Sequence, residues 1–488
     1  MNEIVYQLKP ERLWHYFAEV LGIPRPSKKE GKIIDYLLKF GEENKLETIK
    51  DRVGNVVIRK PGTKGLENAP SVCLQGHVDM VCEKDAEVDH DFDKDPIQAY
   101  IEDGWLKARG TTLGADNGIA VATMLALLEA GDIEHGPLEC LFTVDEETGL
   151  TGAFGLDAGI LKSRILLNLD SEDDGEFFIG CAGGKDTVIE LAYRKETVPQ
   201  DYKPLRVKVS GLQGGHSGDD IHRNRGNANK ILNRFLWETD RKYSIRLSSI
   251  DGGNLRNAIA REALAIFLAP AGSITNIKND LDLFLKELRF EFRVAEPDLK
   301  IEMEEFDSPD FVFDKATQHH LLNALYACPH GVMAWSQDIP NFVETSTNLA
   351  SVKMQNGKVR IATSQRSSIE SAKEDICNMV ASVFRMVPGA QIEHSDGYPG
   401  WAPNPNSKVL KLCVKSYKDL FGQEPVVRAI HAGLECGLIG DKYPGMDMIS
   451  YGPTMRGVHS PTERLEISTV EKFWVLTLEL LKKISQNS

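Results

Sequence analysis

Apolar residues recur at three- and four-residue spacing over Arg12–Leu21 and Lys32–Asn44, which predicts two amphipathic helices. Short apolar runs follow at Asn55–Arg59, Ser71–Leu74, Leu138–Val144 and Ile165–Leu169, each predicted as a strand, with a strongly helical segment, Gly118–Ala130, among them. Strands alternating with helices of this length predict an α/β domain with a largely parallel sheet. Near Gly183 the rhythm changes. The pattern reads strand Leu205–Val209, helix Asn227–Thr239, strands Ile245–Ile250 and Ala263–Leu268, helix Ile277–Leu288 and strand Phe290–Val294. It repeats as strand Lys300–Phe306, helix Ala316–Ala327, strands Leu349–Met354 and Lys358–Thr363, helix Ile369–Met386 and strand Gln391–His394. Two β-α-β-β-α-β units in series predict two ferredoxin-like halves. A turn-rich passage, Gly397–Asn406, closes the region, and helix Lys408–Leu420, strand Met446–Tyr451 and helix Ile467–Ile484 restore the α/β character. The expected fold is therefore α/β, with residues 1–185 and 397–488 forming one domain that an α+β domain at 186–396 interrupts.

Composition narrows the partners. The 488 residues are 42% apolar and 26% charged, which leaves ample material for a core. A formal net charge of −15, with no basic block, argues against nucleic acid or an anionic membrane surface as partner. The longest uncharged apolar stretch, Gly118–Leu128, falls short of the roughly 20 residues a bilayer requires. Charged Glu3, Lys9, Glu11 and Arg12 leave no apolar core for a secretory signal. Eight cysteines without a CxxC pair read as reduced thiols of a cytoplasmic protein.

The informative polar residues fall at the ends of apolar runs. His77 and Asp79 follow Ser71–Leu74, Glu146 and Glu147 follow Leu141–Val144, Asp170 ends Ile165–Leu169, and His459 lies beyond Met446–Tyr451. Asp116 immediately precedes the Gly118–Ala130 helix. Carboxyl ends of strands in open α/β sheets face one crevice. Two imidazoles and several carboxylates there would be costly to bury unpaired, and divalent cations resolve the cost. A neighbouring pair of ions needs a bridging carboxylate, for which short Asp116 is the natural candidate. Of the adjacent Glu146 and Glu147, one can hold metal while the other takes a proton from water. Taken singly, each residue has a plainer reading, Asp116 as a helix cap and His459 as a loop histidine. Together, at successive run ends, they point to a metal site. Asp89-His90-Asp91-Phe92-Asp93 and His319-His320 read as structural.

Gly76-His-Val-Asp-Met80, Thr112–Gly118, Asp145-Glu-Glu147, Asp170-Ser-Glu172, Gly214-Gly-His-Ser-Gly218 and Arg256-Asn-Ala-Ile259 resemble the dinuclear zinc peptidase and deacylase superfamily. His431–Gly437 and Gly457-Val-His-Ser-Pro461 resemble, within it, the cytosolic aminoacyl-histidine dipeptidases. The resemblance spans essentially the whole chain and implies a zinc-peptidase-like mixed sheet with helices on both faces, the inserted domain closing over substrate as a lid. It implies that His77 and Asp170 hold one metal and Glu147 and His459 the other, with Asp116 bridging. Glu146 would be general base and acid, with Asp79 orienting His77. His216 would stabilise the oxyanion, Asn257 and Arg366 would grip the substrate carboxylate, and Gly433 would offer a backbone donor. At Ala260 the sequence departs from the Asn-Ile-Pro signature of many relatives.

The expected reaction is hydrolysis of unblocked dipeptides, Xaa-His dipeptides such as carnosine included, by a metal-bridging water that Glu146 activates. Two divalent ions are implied, zinc first and cobalt or manganese as alternatives, in a homodimer. The other readings are an N-acyl amino acid deacylase on the same scaffold and an inactive peptide-binding relative, which intact Glu146 disfavours. Phosphoryl transfer lacks a Gly-rich, Lys-bearing phosphate loop.

Overall fold

Val72–His77 and Leu138–Thr143 are strands buried at every position, so both faces of the sheet they share are covered by helices. That sheet has eight strands in the order Glu47–Lys50, Val56–Lys60, Leu138–Thr143, Val72–His77, Ile165–Asn168, Asp447–Ser450, Glu176–Cys181 and Val426–Ile430. Its centre is parallel: Val72–His77 pairs with Leu138–Thr143 and Ile165–Asn168, and the latter with Asp447–Ser450. Glu47–Lys50, Val56–Lys60 and Glu176–Cys181 join antiparallel, giving the mixed sheet of an α/β fold. The helix Ala115–Glu129 is buried on nearly every side and packs against Val72–His77 and the amphipathic helix Glu11–Leu21. A small four-stranded sheet, Met455–Arg456, Arg464–Glu466, Trp105–Ala108 and Ala99–Glu102, completes the elements that matter for chemistry.

The computed structural model describes residues 2–486; residues 1, 487 and 488 of the expected ranges lie outside the described residues. The chain forms two compact units. One takes the chain up to Gly180, Pro403–Ala429 and the chain from Leu434 onward. The other takes Cys181–Ala402 together with Ile430–Gly433, a brief return of which the residue pattern gives no sign.

The second unit is built on one nine-stranded antiparallel sheet. Strands Tyr202–Ser210, Arg246–Gly252, Ala263–Pro270 and Lys300–Glu305, with helices Ala228–Tyr243 and Ile274–Glu291, form one ferredoxin-like half. Strands Gly183–Ala192, Val343–Gln355, Lys358–Ser367 and Gln391–His394, with helices Lys315–Ala327 and Glu370–Arg385, form the other. The halves meet in the sheet at the single register pair Gly252–Val352, over a core shared by Val207, Phe235, Phe267, Val352, Ile361 and Phe384.

Both halves exist, but not in series. The opening strand of the second half is Gly183–Ala192, so the first half is nested inside it, and Lys300–Glu305 closes the first half rather than opening the second. Phe290–Val294 is not a strand. The helix continues to Glu291 and the segment then turns, leaving Phe290 and Val294 71% and 84% exposed. Phe290, Phe292 and Val294 alternate as a strand would, yet Leu281, Phe284 and Leu288 carry helical spacing into the same stretch, and their burial wins.

Candidate metal centre

The parallel strands deliver their polar residues to one edge. Gly76 allows the closest approach: a Cβ there would strike Asn117 Oδ1 and stand 2.7 Å from Ala120 Cβ. Through that gap Asn117 accepts from the His77 amide at 3.2 Å and donates to the Leu169 carbonyl at 2.9 Å. One side chain thus ties together the strand end carrying His77, the segment carrying Asp116 and the strand end carrying Asp170.

Asp116 is no helix cap. Its φ/ψ of −82°/108° are non-helical, as a cap's would be, but among the described residues no amide of the following helix donates to its carboxylate. Its carboxylate instead lies between two imidazoles, Oδ1 3.1 Å from His77 Nε2 and Oδ2 3.2 Å from His459 Nε2. Asp170 Oδ1 is 3.6 Å from His77 Nε2, and Glu147 Oε2 is 2.9 Å from His459 Nε2. The donors fall into two sets that share Asp116: His77, Asp116 and Asp170, and Asp116, Glu147 and His459, each with its ligand atoms within 4.8 Å of one another. Glu146 joins His77 and Glu147 in a third set.

Asp79 organises the neighbourhood from beneath. Its Oδ1 lies 3.3 Å from His77 Nδ1, its two oxygens accept from the amides of Glu146 and Glu147 at 3.1 and 3.3 Å, and Ser27 donates to it at 2.8 Å. Burial alone would raise its pKa, but these bonds outweigh it and hold Asp79 at about 2. A proton on His77 Nδ1, facing that anion, leaves Nε2 as a lone pair directed at two carboxylates, a repulsive arrangement that a cation relieves. Glu147 Oε1 is likewise buried without a hydrogen-bond partner among the described residues. The donor set therefore fits a pair of divalent ions.

The charge crowding is visible in each group. Burial disfavours a charged His77, yet Asp170, Asp116 and Asp79 push its pKa well above the ordinary value. Hydrogen bonds that His459 can donate to Asp116 and Glu147 raise its pKa to about 11. Burial, reinforced by the charges of Glu435 and Glu147, pushes Glu146 and Asp170 well above the carboxylate range, with Asp170 adding to the effect on Glu146 and Asp116 to that on Asp170.

The other expected residues lie in the second unit. His216 Nδ1 is 3.1 Å from Asp219 Oδ2, and the next residue, Ser217, donates its amide to the Asn257 carbonyl at 2.8 Å. Arg366 is buried, donates to the Tyr398 hydroxyl at 3.2 Å, and forms no ion pair with a carboxylate among the described residues, so it is not a surface salt bridge. Gly433 packs under the same Tyr398, where a Cβ would come within 3.0 Å of the ring. Among the described residues, the Asp89–Asp93 stretch and the His319-His320 pair join no metal-competent group.

Three buried groups around the centre carry no signal in the sequence pattern. Glu435, which burial raises to about 7, accepts from Gln75 at 2.5 Å and Thr143 at 2.7 Å beneath the strand ends. Arg25 donates to the carbonyls of Val78, Asp79 and Gly114. Glu463 accepts from a row of amides ahead of Asp116. Each acts on backbone or on distant side chains, which no local spacing encodes.

The chain is similar to known proteins along almost its whole length. The profile of Peptidase family M20/M25/M40 matches residues 73–483. The chain is 42% identical over 478 residues to the cytosol non-specific dipeptidase of Escherichia coli K12, covering 98% of each. The crystal structure of aminoacylhistidine dipeptidase from Vibrio alginolyticus superposes with a TM-score of 0.94 at 42% identity, covering 99% of both chains. Aminopeptidase PepT from Bacillus cereus shares the fold, with a TM-score of 0.57 at 16% identity over 98% of this chain and 99% of its own.

Proposed function

Since the chain belongs to peptidase family M20/M25/M40, we propose that it is a dinuclear metallo-dipeptidase that hydrolyses unblocked dipeptides, those ending in histidine included. The observation that carries this reading is the pair of three-donor sets sharing Asp116, with Glu146 beside them. The names of the E. coli and V. alginolyticus relatives, each 42% identical along almost the whole chain, support the substrate class.

His77 and Asp170 would hold one ion and Glu147 and His459 the other, with Asp116 common to both. When bound, the ions would supply Lewis acidity towards a peptide carbonyl and lower the pKa of bound water. Zinc is the first choice for imidazole and carboxylate donors, with cobalt or manganese as alternatives. Glu146 takes the proton of the attacking water and returns it to the departing amine, a task suited to a carboxyl whose pKa burial raises well above the ordinary carboxylate range. Asp79 keeps His77 in the tautomer that presents Nε2 and fixes the amides of Glu146 and Glu147. We assign His216 to the oxyanion, Asn257 and Arg366 to the substrate carboxylate, and Gly433 to a backbone contact. A buried guanidinium with no acidic partner among the described residues supports the assignment for Arg366.

Among the described residues no helix is long and apolar enough to cross a membrane. The name of the E. coli relative supports a cytoplasmic location, and the homodimer expected from the resemblance is checked by sedimentation of the purified protein. The function itself is tested with β-Ala-His, Ala-His, Gly-Gly and N-acetyl-Met, with EDTA as control. Metal-dependent cleavage of the free dipeptides alone supports the proposal. Cleavage of N-acetyl-Met alone identifies a deacylase, and binding without turnover identifies an inactive relative.

A further inference from the structure

His459 is half exposed, with 51% of its side chain accessible, so packing does not fix its ring. Its backbone does. The residue sits at φ 60°, in the left-handed region, within the loop of the hairpin that joins Met455–Arg456 to Arg464–Glu466. That loop is tightly folded. Gly457 has φ 65°, and a Cβ there would stand 2.7 Å from Thr462 Oγ1. Ser460 donates its hydroxyl to the Gly457 carbonyl at 2.7 Å, and the Glu463 amide donates to the Ser460 carbonyl at 3.0 Å.

The buried end of this loop is Glu463, 2% exposed. Its Oε2 accepts from the amides of Leu113 and Gly114 at 2.7 and 2.9 Å, and its Oε1 from those of Ala115 and Asp116 at 2.8 and 3.3 Å. One carboxylate thus takes the successive amides of the segment that ends at Asp116. Arg25 holds the same segment from its carbonyl side, donating to Gly114 at 2.5 Å and to Val78 and Asp79 at 2.9 Å each. The adjoining strands repeat the alignment, Arg464–Glu466 pairing antiparallel with Trp105–Ala108.

We infer that Glu463 is a positioning residue that sets the distance between Asp116 and His459, and so determines whether the ion between Asp116, Glu147 and His459 is held. The inference rests on the reading of those three residues as ligands. It has a consequence that a purely structural role lacks: loss of Glu463 acts on one ion of the pair. The set of His77, Asp116 and Asp170 keeps its own supports, Asn117 and Asp79.

The test is metal binding by Glu463→Gln, whose amide offers one acceptor oxygen and turns its own N–H groups towards backbone donors. Folding of the metal-free variant is first checked by circular dichroism. Chelator competition should then show one ion held as in wild type and the second weakened about 10–100-fold, the range typical of lost supports around metal ligands. The cobalt-substituted variant should lose the visible absorption that the second ion contributes. Glu463→Asp keeps the charge but is one methylene short, and should retain the second ion better than the glutamine variant. If Glu463→Gln does not fold, Glu463→Asp is read against wild type in the same assays. Two ions held with wild-type affinity and an unchanged cobalt spectrum in whichever variant is read would overturn the inference. His459→Ala separates it from the reading beneath it. If that variant also holds two ions as wild type does, the ligand assignment fails, and the inference with it.

Discussion

Asp79 Oδ1 stands 3.3 Å from Nδ1 of His77, and the same carboxylate receives the amides of Glu146 and Glu147. A single buried side chain therefore orients one proposed ligand and seats the turn that bears both the proposed base and another ligand.

Replacing Asp79 with asparagine should accordingly act in two places at once. An amide faces the Nδ1–H of His77 less favourably than a carboxylate does, and would present N–H groups to the backbone donors it now accepts from. Metal affinity should drop about 10–100-fold, with a loss in kcat beyond what restored metal recovers. Titration with zinc and steady-state kinetics at saturating metal separate the two effects.

Glu146→Gln should behave differently. It removes the proposed proton carrier and leaves every proposed ligand in place, so kcat should fall by roughly 10²- to 10⁴-fold with both ions retained. Elemental analysis beside the kinetics checks it, and wild-type turnover would remove Glu146 from the mechanism.

Gly76→Ala tests the gap through which Asn117 reaches the strand end. The added methyl group would stand 2.7 Å from Ala120 Cβ and press on Asn117 Oδ1. Overpacking of this kind costs about 1–3 kcal/mol. A lower Tm together with weakened metal binding is expected, because Asn117 also fixes the His77 amide.

His431 gives a pH dependence apart from the metal residues. Burial, and next the nearby Arg366, depress its pKa to about 3, and its Nε2 lies 2.7 Å from Ser346 Oγ. An unfolded histidine titrates near 6.5, so between about pH 6.5 and 3 the unfolded state binds the extra proton. The contribution of neutral His431 to stability is thus whole above pH 6.5 and is lost progressively as pH falls towards 3. Urea unfolding of wild type and His431→Gln across this range should show their difference shrinking on acidification. A constant difference would contradict the depressed value.

What the chain makes legible by itself is whatever physics acts over a few residues. Polar residues directly after apolar runs announce His77, Asp79, Glu146, Glu147 and Asp170, because a strand end and the turn behind it are neighbours in sequence as well as in space. The same locality misleads at Phe290–Val294, where alternation imitates a strand while the burial of Leu281, Phe284 and Leu288 continues a helix. Tertiary structure alone decides the rest. The nesting of one ferredoxin-like half inside the other depends on Gly183–Ala192 pairing with Lys358–Ser367, segments too far apart in the chain for periodicity to connect. Glu463, Glu435 and Arg25 look like ordinary charged residues until the fold withdraws them from water and presents backbone amides, carbonyls or strand-end side chains as their partners. A buried charge is defined by what the fold has gathered around it, and no residue carries that description in its own neighbourhood.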